Sequence, residues 1–357
     1  MISDIKAPSN YYSIMKWAGI IIIIAGIKSI SNIIIPLILA VFISLMLLQA
    51  VHWLEHKKIS RNFAILIVVV TFSFFLFLIG DLLGVSLSRF NADLPQYKLK
   101  LLNYIADNTD LFRKLGINYS ADHPINTEPG LLMKLILNGL DHLKKIISMV
   151  FLIMLLTIFF LFELDSFPIK FKAMFSQSGN EKSIINLNKI IINLRSYIGI
   201  KSITSFATGL FIYLGLLFLN VDYAILWGSI AFLLNYIPNI GSLIAAIPAV
   251  IFAGIELGGS TLLYTGILYF GVNFIIGSII EPKVMGKGMG LSMAVILISL
   301  MFWGWLFGPI GMFLSVPLTM VLKVFLESNE DSKYFAILIG TEEEAKVILK
   351  NEDENRQ

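Results

Sequence analysis

Three polar points interrupt otherwise apolar sequence, and they hold the residue types best suited to chemistry. The first is the run 235–242, Asn-Tyr-Ile-Pro-Asn-Ile-Gly-Ser. The second is Asn273 followed by Glu281-Pro282-Lys283, and the third is the run 303–311, which ends in Gly-Pro-Ile-Gly. Amides and hydroxyls can hydrogen-bond a neutral polar solute, whereas a carboxylate can also take up a proton or a cation. Because polar groups inside a membrane are costly, these positions are candidates for function.

Each point also has a purely structural interpretation. The first could simply cap and pack a re-entrant turn, and the third favours helix packing because glycine permits close approach. Glu281 is either a gate or ion-coupling residue or an interfacial anchor, with Lys283 as its expected partner. The residues assigned to a substrate path are Asn235, Tyr236, Pro238, Asn239, Gly241 and Asn273. The hinge or packing residues are Pro282, Gly286, Gly308, Pro309, Gly311 and Pro317.

Other candidate motifs do not support enzymatic chemistry. The run His52-Trp-Leu-Glu-His56 has the spacing of a zinc-protease motif, but it stands at a helix end before two lysines, which favours interfacial anchoring. The chain has no cysteine, which excludes disulfides and thiolate chemistry. It contains no phosphate-binding P-loop, and a net charge of +3 is too small to indicate nucleic acid. We therefore expect no enzyme, no metal and no cofactor.

The composition predicts an integral membrane protein. Of 357 residues, 57% are hydrophobic and only 14% are charged, whereas soluble proteins carry about 25% charged residues. Between Lys287 and Lys323 there is no charge of either sign. Several runs reach the roughly 20 apolar residues that a helix needs to span a bilayer. No signal peptide is expected, since the apolar run after residue 16 lacks a small-residue cleavage site.

The apolar runs predict an all-α polytopic membrane protein with about eight membrane segments. Two runs, 223–255 and 288–322, are too long for one span and are interrupted by proline and glycine, so each is predicted to form a broken or re-entrant helix pair. The joint at 28–32 predicts a third pair. The expected domains are N-terminal membrane helices (1–80), an extramembrane helical segment (81–145), a membrane transport core (146–326) and a cytoplasmic tail (327–357).

Basic residues predict the orientation. Segments 52–61 and 163–201, the latter ending at Lys201, are rich in lysine and arginine, and Lys283 and Lys287 flank the next short loop. The positive-inside rule places them all in the cytoplasm. Both termini are then cytoplasmic and 81–145 lies outside. That segment is expected to be a helical module with a central loop and a final amphipathic helix over 131–145, and the end of the tail, 351–357, is expected to be disordered.

In their order, these features resemble the autoinducer-2 exporter (AI-2E) family. The stretch 235–253 (NYIPNIGSLIAAIPAVIFA) is similar to the family's Asn-aromatic-Ile-Pro-x-Ile-Gly segment, and 280–326 is similar to its segment with Pro-x-x-Met-Gly and Gly-Pro-x-Gly-Met. The Glu-Pro-Lys form and the Trp-Gly-Trp pair look most similar to the enterobacterial autoinducer-2 transport branch. Ser242 departs from the family, where proline often follows Gly241.

The resemblance implies a bacterial inner-membrane exporter that does not hydrolyse ATP. It also implies a homo-oligomer, plausibly a pentamer, and a small polar solute, autoinducer-2, as cargo. Other family members are described as sodium/proton antiporters, which is the competing function. An antiporter needs a titratable carboxylate near its path, and only a few carboxylates qualify, all near run ends: Asp222, Glu256, Glu281, Glu163 and Asp165. A third possibility is a membrane scaffold whose outer segment binds a partner.

Overall fold

The computed structural model describes residues 9–107, 149–164, 166–167, 169–170, 181–238, 240–285, 290–327, 332–346 and 349. Within these ranges the chain is helical and contains no strand, which confirms the all-α prediction. The helices are α1 (Ser9–Ser29), α2 (Ser31–His56), α3 (Arg61–Asp107), α4 (Met149–Glu163), α5 (Glu181–Phe218), α6 (Ala224–Leu234), α7 (Gly241–Leu257), α8 (Gly259–Asn273), α9 (Glu281–Met285), α10 (Met293–Phe307), α11 (Pro309–Phe313), α12 (Ser315–Glu327) and α13 (Lys333–Ile339). A π-helical segment, Phe274–Ile280, joins α8 to α9.

Four helical stretches are long and apolar enough to cross a membrane. They are Ser31–His56, Arg61–Tyr97, Ile191–Phe218 and Gly259–Val284. Five shorter apolar helices accompany them, among them α4, α6, α7 and α10. The protein is therefore a multi-pass helical membrane protein, because a helix satisfies its own backbone hydrogen bonds in lipid. The joint between α1 and α2 keeps helical hydrogen bonding through Ile30, whose N–H donates to Gly26 O at 3.2 Å.

The first broken pair, α6 and α7, is a hairpin that enters the bundle and returns to the same end. We call residues 224–257 the first hairpin. Its two ends meet where the backbone N–H of Asp222, just before α6, donates to the Glu256 carboxylate at 3.1 Å, near the end of α7. The extended end of α3 packs here too, through Phe90 and Tyr97 against Tyr223 and Phe252. This end of the bundle is called the acidic end.

The second broken pair, α10 to α12, is also a hairpin, and it enters from the opposite end. We call residues 293–327 the second hairpin. Lys323, near the end of α12, donates to Gly290 O, just before α10, so both ends of this hairpin lie together. The span Gly259–Val284 separates the two hairpin bases and has 26 residues, or about 39 Å of helix. The end that holds Lys323 and the α2–α3 turn is called the basic end.

Glycines allow the first hairpin to pack directly on α5. A Cβ at Gly209 of α5 would lie 2.8 Å from Gly228 O of α6, and a Cβ at Gly228 would lie 2.9 Å from Gly209 O. The two helices therefore cross in backbone contact, as small residues permit in membrane bundles. This crossing fixes α6 against the part of α5 that carries buried polar side chains.

Candidate functional site

The tip of the first hairpin, residues 235–240, hydrogen-bonds to α5. Asn235 is buried, with 7% of its surface exposed, and its Nδ2 donates to Ser205 Oγ at 3.0 Å. The hydroxyl of buried Tyr236 lies 3.0 Å from Ser202 Oγ. The N–H of Gly241 donates to Ile237 O at 3.3 Å, and at Gly241 a Cβ would lie 1.8 Å from Leu234 O. Only glycine therefore allows the tip to close so tightly.

The tip of the second hairpin, residues 308–314, is apolar. Gly308 has a φ of +68°, which favours glycine, and Pro309 starts α11 at a position that needs no N–H donor. A Cβ at Gly311 would lie 1.9 Å from Trp303 O. The predicted hinge positions at this tip therefore lie at a real break in the helix.

The two tips touch each other. The rings of Tyr236 and Phe313 lie 4.8 Å apart between centroids. Phe42 of α2 also packs against Phe313, with ring centroids 5.5 Å apart. Because the hairpins enter from opposite ends, this contact lies between the two hairpin bases.

Next to the tips, a buried ion pair joins Lys201 of α5 to Glu281 of α9. Lys201 Nζ lies 2.6 Å from Glu281 Oε1, and the side chains are only 5% and 16% exposed. The partner expected for Glu281 was Lys283, whereas the ion pair in the structure is with Lys201, and Lys283 is exposed. The expectation that Lys201 closes a cytoplasmic loop is also wrong, because it lies within the spanning stretch Ile191–Phe218.

The π-helical segment directly precedes Glu281. A π-helix adds a residue to each turn, so the residues that follow it face a different direction from those of a continuous α-helix. Such segments are rare and occur frequently at functional sites. The segment ends at Ile280, and the next residue is the buried carboxylate that reaches α5.

Lys201 begins a stripe of buried polar side chains along one face of α5. Thr204, Ser205 and Thr208 follow it, and each is no more than 4% exposed. Thr204 and Thr208 donate to backbone carbonyls one turn earlier, which satisfies them within the helix. We call the four residues the α5 stripe. It runs from the ion pair past the first tip toward the acidic end.

Three further buried groups lie between the first tip and the acidic end. Trp227 Nε1, Thr265 Oγ1 and Tyr269 OH have no hydrogen-bond partner among the residues that the structure describes. Their side chains are among the most buried in the protein, at 2% exposure or less. A buried polar group without a partner costs about 1–3 kcal/mol, so each of these groups can bind a water molecule or a polar solute.

A cluster of tyrosines and carboxylates fixes the acidic end. Tyr97 OH donates to Asp222 Oδ2 at 2.9 Å, and Tyr223 OH donates to Asp93. These bonds tie α3 to the base of the first hairpin. Burial, followed by the contact with Asp93, raises the pKa of Tyr223 to about 12. Burial, followed by the hydrogen bond with the Asp222 side chain, raises the pKa of Glu256 to about 7.

A buried lysine fixes the basic end. Lys323 is 6% exposed, and its ammonium group contacts Glu344 beyond α13 and lies 3.7 Å from Glu327. The N–H of Ser292 donates to Ile339 O at 3.2 Å. The C-terminal segment 332–346 is therefore docked against the base of the second hairpin.

The other residues of the predicted site are distributed around this centre. Asn273 is half-buried at the end of α8, where the π-helical segment begins. Pro282 is exposed on α9, and Pro317 is buried in α12. Asn239 and Gly286 lie outside the described residues. The sequence reasoning missed the α5 stripe and the groups on α6 and α8, although the periodic spacing of Lys201, Thr204, Ser205 and Thr208 was a usable signal for one helix face.

The fold and the site define a class of protein: a helical membrane transporter with two broken hairpins that meet beside a buried polar stripe, a construction typical of secondary transporters. The family model of the AI-2E family transporters matches residues 18–330. The chain belongs to this family. Its members are transport proteins rather than enzymes.

Three relatives illustrate the range of the family. The chain is 36% identical to the "Putative transport protein" of Haemophilus influenzae over 92% of its own length and 96% of that protein's. It is 35% identical to the AI-2 transport protein TqsA of Escherichia coli, with 90% and 93% coverage. It is 25% identical to a sodium-lithium/proton antiporter of Halobacillus andaensis, with 87% and 95% coverage.

Proposed function

We propose that the protein exports a small, neutral, polar solute along the α5 stripe and past the touching hairpin tips, with autoinducer-2 as the leading solute. The observation that carries this proposal is the contact of Tyr236 with Phe313 beside the uncharged groups of Asn235, Ser205 and Ser202. A polyhydroxylated solute needs donors and acceptors but no counter-charge. The similarity to TqsA supports the choice of solute.

The proposed path passes four groups of side chains. A solute entering from the basic end would meet the Lys201–Glu281 pair, then the hydrogen-bonded tip of the first hairpin. It would continue past the unpartnered polar atoms of Trp227, Thr265 and Tyr269. It would leave through the acidic end beside Asp222 and Glu256. Expulsion of the solute therefore requires the tips to separate and both ends to open in turn.

Purified protein in proteoliposomes tests this function. Vesicles loaded with autoinducer-2 should release it without an ion gradient, and Asn235→Ala should reduce the rate about tenfold, because each lost hydrogen bond to the solute costs about 1.4 kcal/mol. The matched control is Asn62→Ala, an exposed asparagine at the start of α3. The path is wrong if both variants release the solute at the rate of the natural protein.

Sodium/proton exchange is the second candidate function. Two observations favour it, the similarity to the Halobacillus antiporter and a buried carboxylate beside the path. A pH-sensitive dye inside the same vesicles reports it. Proton movement driven by a sodium gradient, with no release of autoinducer-2, would replace the exporter by the antiporter.

The placement and assembly of the protein are part of the proposal. We place it in the bacterial inner membrane with the basic end in the cytoplasm, which agrees with the lysines and arginine of the α2–α3 turn. Both termini are then cytoplasmic. The homo-oligomer, expected to be a pentamer, follows from the resemblance to the family. Protease accessibility of tagged termini and mass photometry in detergent test these two points.

A further inference from the structure

The buried charges next to the tips have a consequence for how the path opens. Glu281 faces Lys201 and Tyr197 from α5, and Lys283 is the nearest charged residue on its own helix. Tyr236 follows beyond Tyr197, at the tip of the first hairpin. A buried ion pair is held together because each charge offsets the desolvation of the other. Removing one charge leaves the other buried and unpaired.

The Lys201–Glu281 pair lies where it can close the path between the hairpin tips and the basic end. Ser202, the neighbour of Lys201, bonds to the tip of the first hairpin, so the pair lies at the edge of the tip region. Lys201 is 17 residues before Phe218, the end of the spanning stretch, or about 26 Å along the helix. Glu281 is close to the other end of its own stretch, three residues before Val284. The pair therefore lies between the tips and the basic end.

We propose that the Lys201–Glu281 pair is a gate that closes the solute path on its basic side. While the pair is intact, each charge offsets the desolvation of the other. When the two side chains separate, each charge needs water, which enters from the basic end, and the α5 stripe becomes accessible there. This inference rests on the proposed path, and it adds the contact that closes it.

The absence of cysteine makes the gate directly measurable. The chain has no cysteine, so Ser205→Cys places a single thiol on the α5 stripe, where the natural side chain is fully buried. A membrane-impermeant methanethiosulfonate reagent is applied to inverted vesicles, which expose the cytoplasmic face, and separately to spheroplasts. With the gate closed, the thiol reacts slowly from either side. Loss of the ion pair should raise its rate of modification from the basic side.

Adding Glu281→Gln should raise the rate from the basic side about tenfold, because glutamine leaves the Lys201 ammonium without its counter-charge. The matched control is Glu163→Gln, which removes the carboxylate of the exposed Lys170–Glu163 pair and should leave the rate unchanged. The double variant Lys201→Glu, Glu281→Lys exchanges the two charges and keeps an ion pair. If this variant folds normally, its thiol at position 205 should again react slowly.

The gate is overturned if Glu281→Gln reacts at the parental rate, or if the folded charge exchange reacts as fast as Glu281→Gln. The thiol measurement needs no solute, so it is independent of the transport assay. Autoinducer-2 release with an unaltered thiol response would refute the gate alone. A faster thiol reaction in Glu281→Gln without autoinducer-2 release would refute the proposed solute alone.

Discussion

The two hairpins have similar tips but different surroundings. Each tip contains a glycine that packs against a carbonyl seven or eight residues earlier, Gly241 on Leu234 and Gly311 on Trp303. The first tip then offers an amide and a phenol to α5, whereas the second presents Phe313. The glycines allow each tip to pack tightly. The other side chains differ, so the first tip is polar where it faces α5 and the second tip is apolar at Phe313.

The bases of the hairpins differ as well. Tyrosines and carboxylates from α3 hold the first base, while one buried lysine and the C-terminal segment hold the second. The first base contains Glu256, whose pKa burial raises to about 7. This base is therefore expected to respond to pH in the physiological range.

The largest effects are expected at the tips, where the hairpins are alike. Gly241→Ala and Gly311→Ala each place a Cβ less than 2 Å from a backbone oxygen, a clash that no side-chain rotation relieves, and each should cost more than about 4 kcal/mol. Both variants should lose most of their monodisperse protein in fluorescence-detected size-exclusion chromatography. Gly266→Ala is the control, since nothing lies within 4 Å of its Cβ. Equal profiles for all three would mean that the tips are not as tight as described.

An intermediate effect is expected at the base of the second hairpin. Lys323→Met removes the buried charge that holds Glu344 and should release the C-terminal segment. The free energy of unfolding should fall by only about 2 kcal/mol, because Glu344 is itself half-exposed and can be solvated. Limited proteolysis should then cleave near residues 328–346, and the melting temperature should fall. Lys346→Met, which removes an exposed pair with Glu342, should change the stability by less than about 0.5 kcal/mol. A protease pattern that is the same for both variants would contradict the docking.

The smallest effect is expected at the base of the first hairpin, and it depends on pH. The pKa of Glu256 is raised from 4.5 to about 7, so the folded protein binds a proton there that the unfolded chain releases at lower pH. The contribution of Glu256 to the stability of the fold is therefore present in full below about pH 4.5 and is lost as the pH rises to about 7.

The melting temperature of the natural protein should decline over this window, and Glu256→Gln should reduce that slope. Glu344→Gln, at the other base, is the control and should leave the slope as it is. An identical slope for Glu256→Gln and the natural protein would assign the pH response to other groups.

Much of the architecture could be predicted from the sequence. The breaks at Pro238 and at Gly308-Pro309 were predicted from residue type, because proline and glycine have a direct effect on the backbone. Whether each broken pair crosses the membrane or returns could not be predicted, since both forms have the same hydropathy. The contact between Asp222 and Glu256 shows the return for the first hairpin.

The site was predictable only in its local part. Asn235 and Tyr236 were found because they are polar within an apolar run. The partner of Glu281 was missed because Lys201 is 80 residues away in sequence, and the nearer Lys283 offered a local alternative. Lys201 itself was counted with a basic loop, although α5 is a single helix of 38 residues that runs on through it. Charge counting cannot distinguish a loop lysine from a buried one at the start of an apolar run.

The contact between Tyr236 and Phe313 also has an electrical consequence. It lies where hairpins that enter from opposite ends meet, so a charge that passes the two rings crosses part of the voltage across the membrane. A full elementary charge moved through the potential gains about 2.3 kcal/mol per 100 mV. A neutral solute that passes the rings gains nothing, and its flux is independent of voltage. Exchange of unequal numbers of charges at the same point would carry a current. Patch-clamp recording from membranes that contain the protein therefore distinguishes export of a neutral solute from electrogenic exchange.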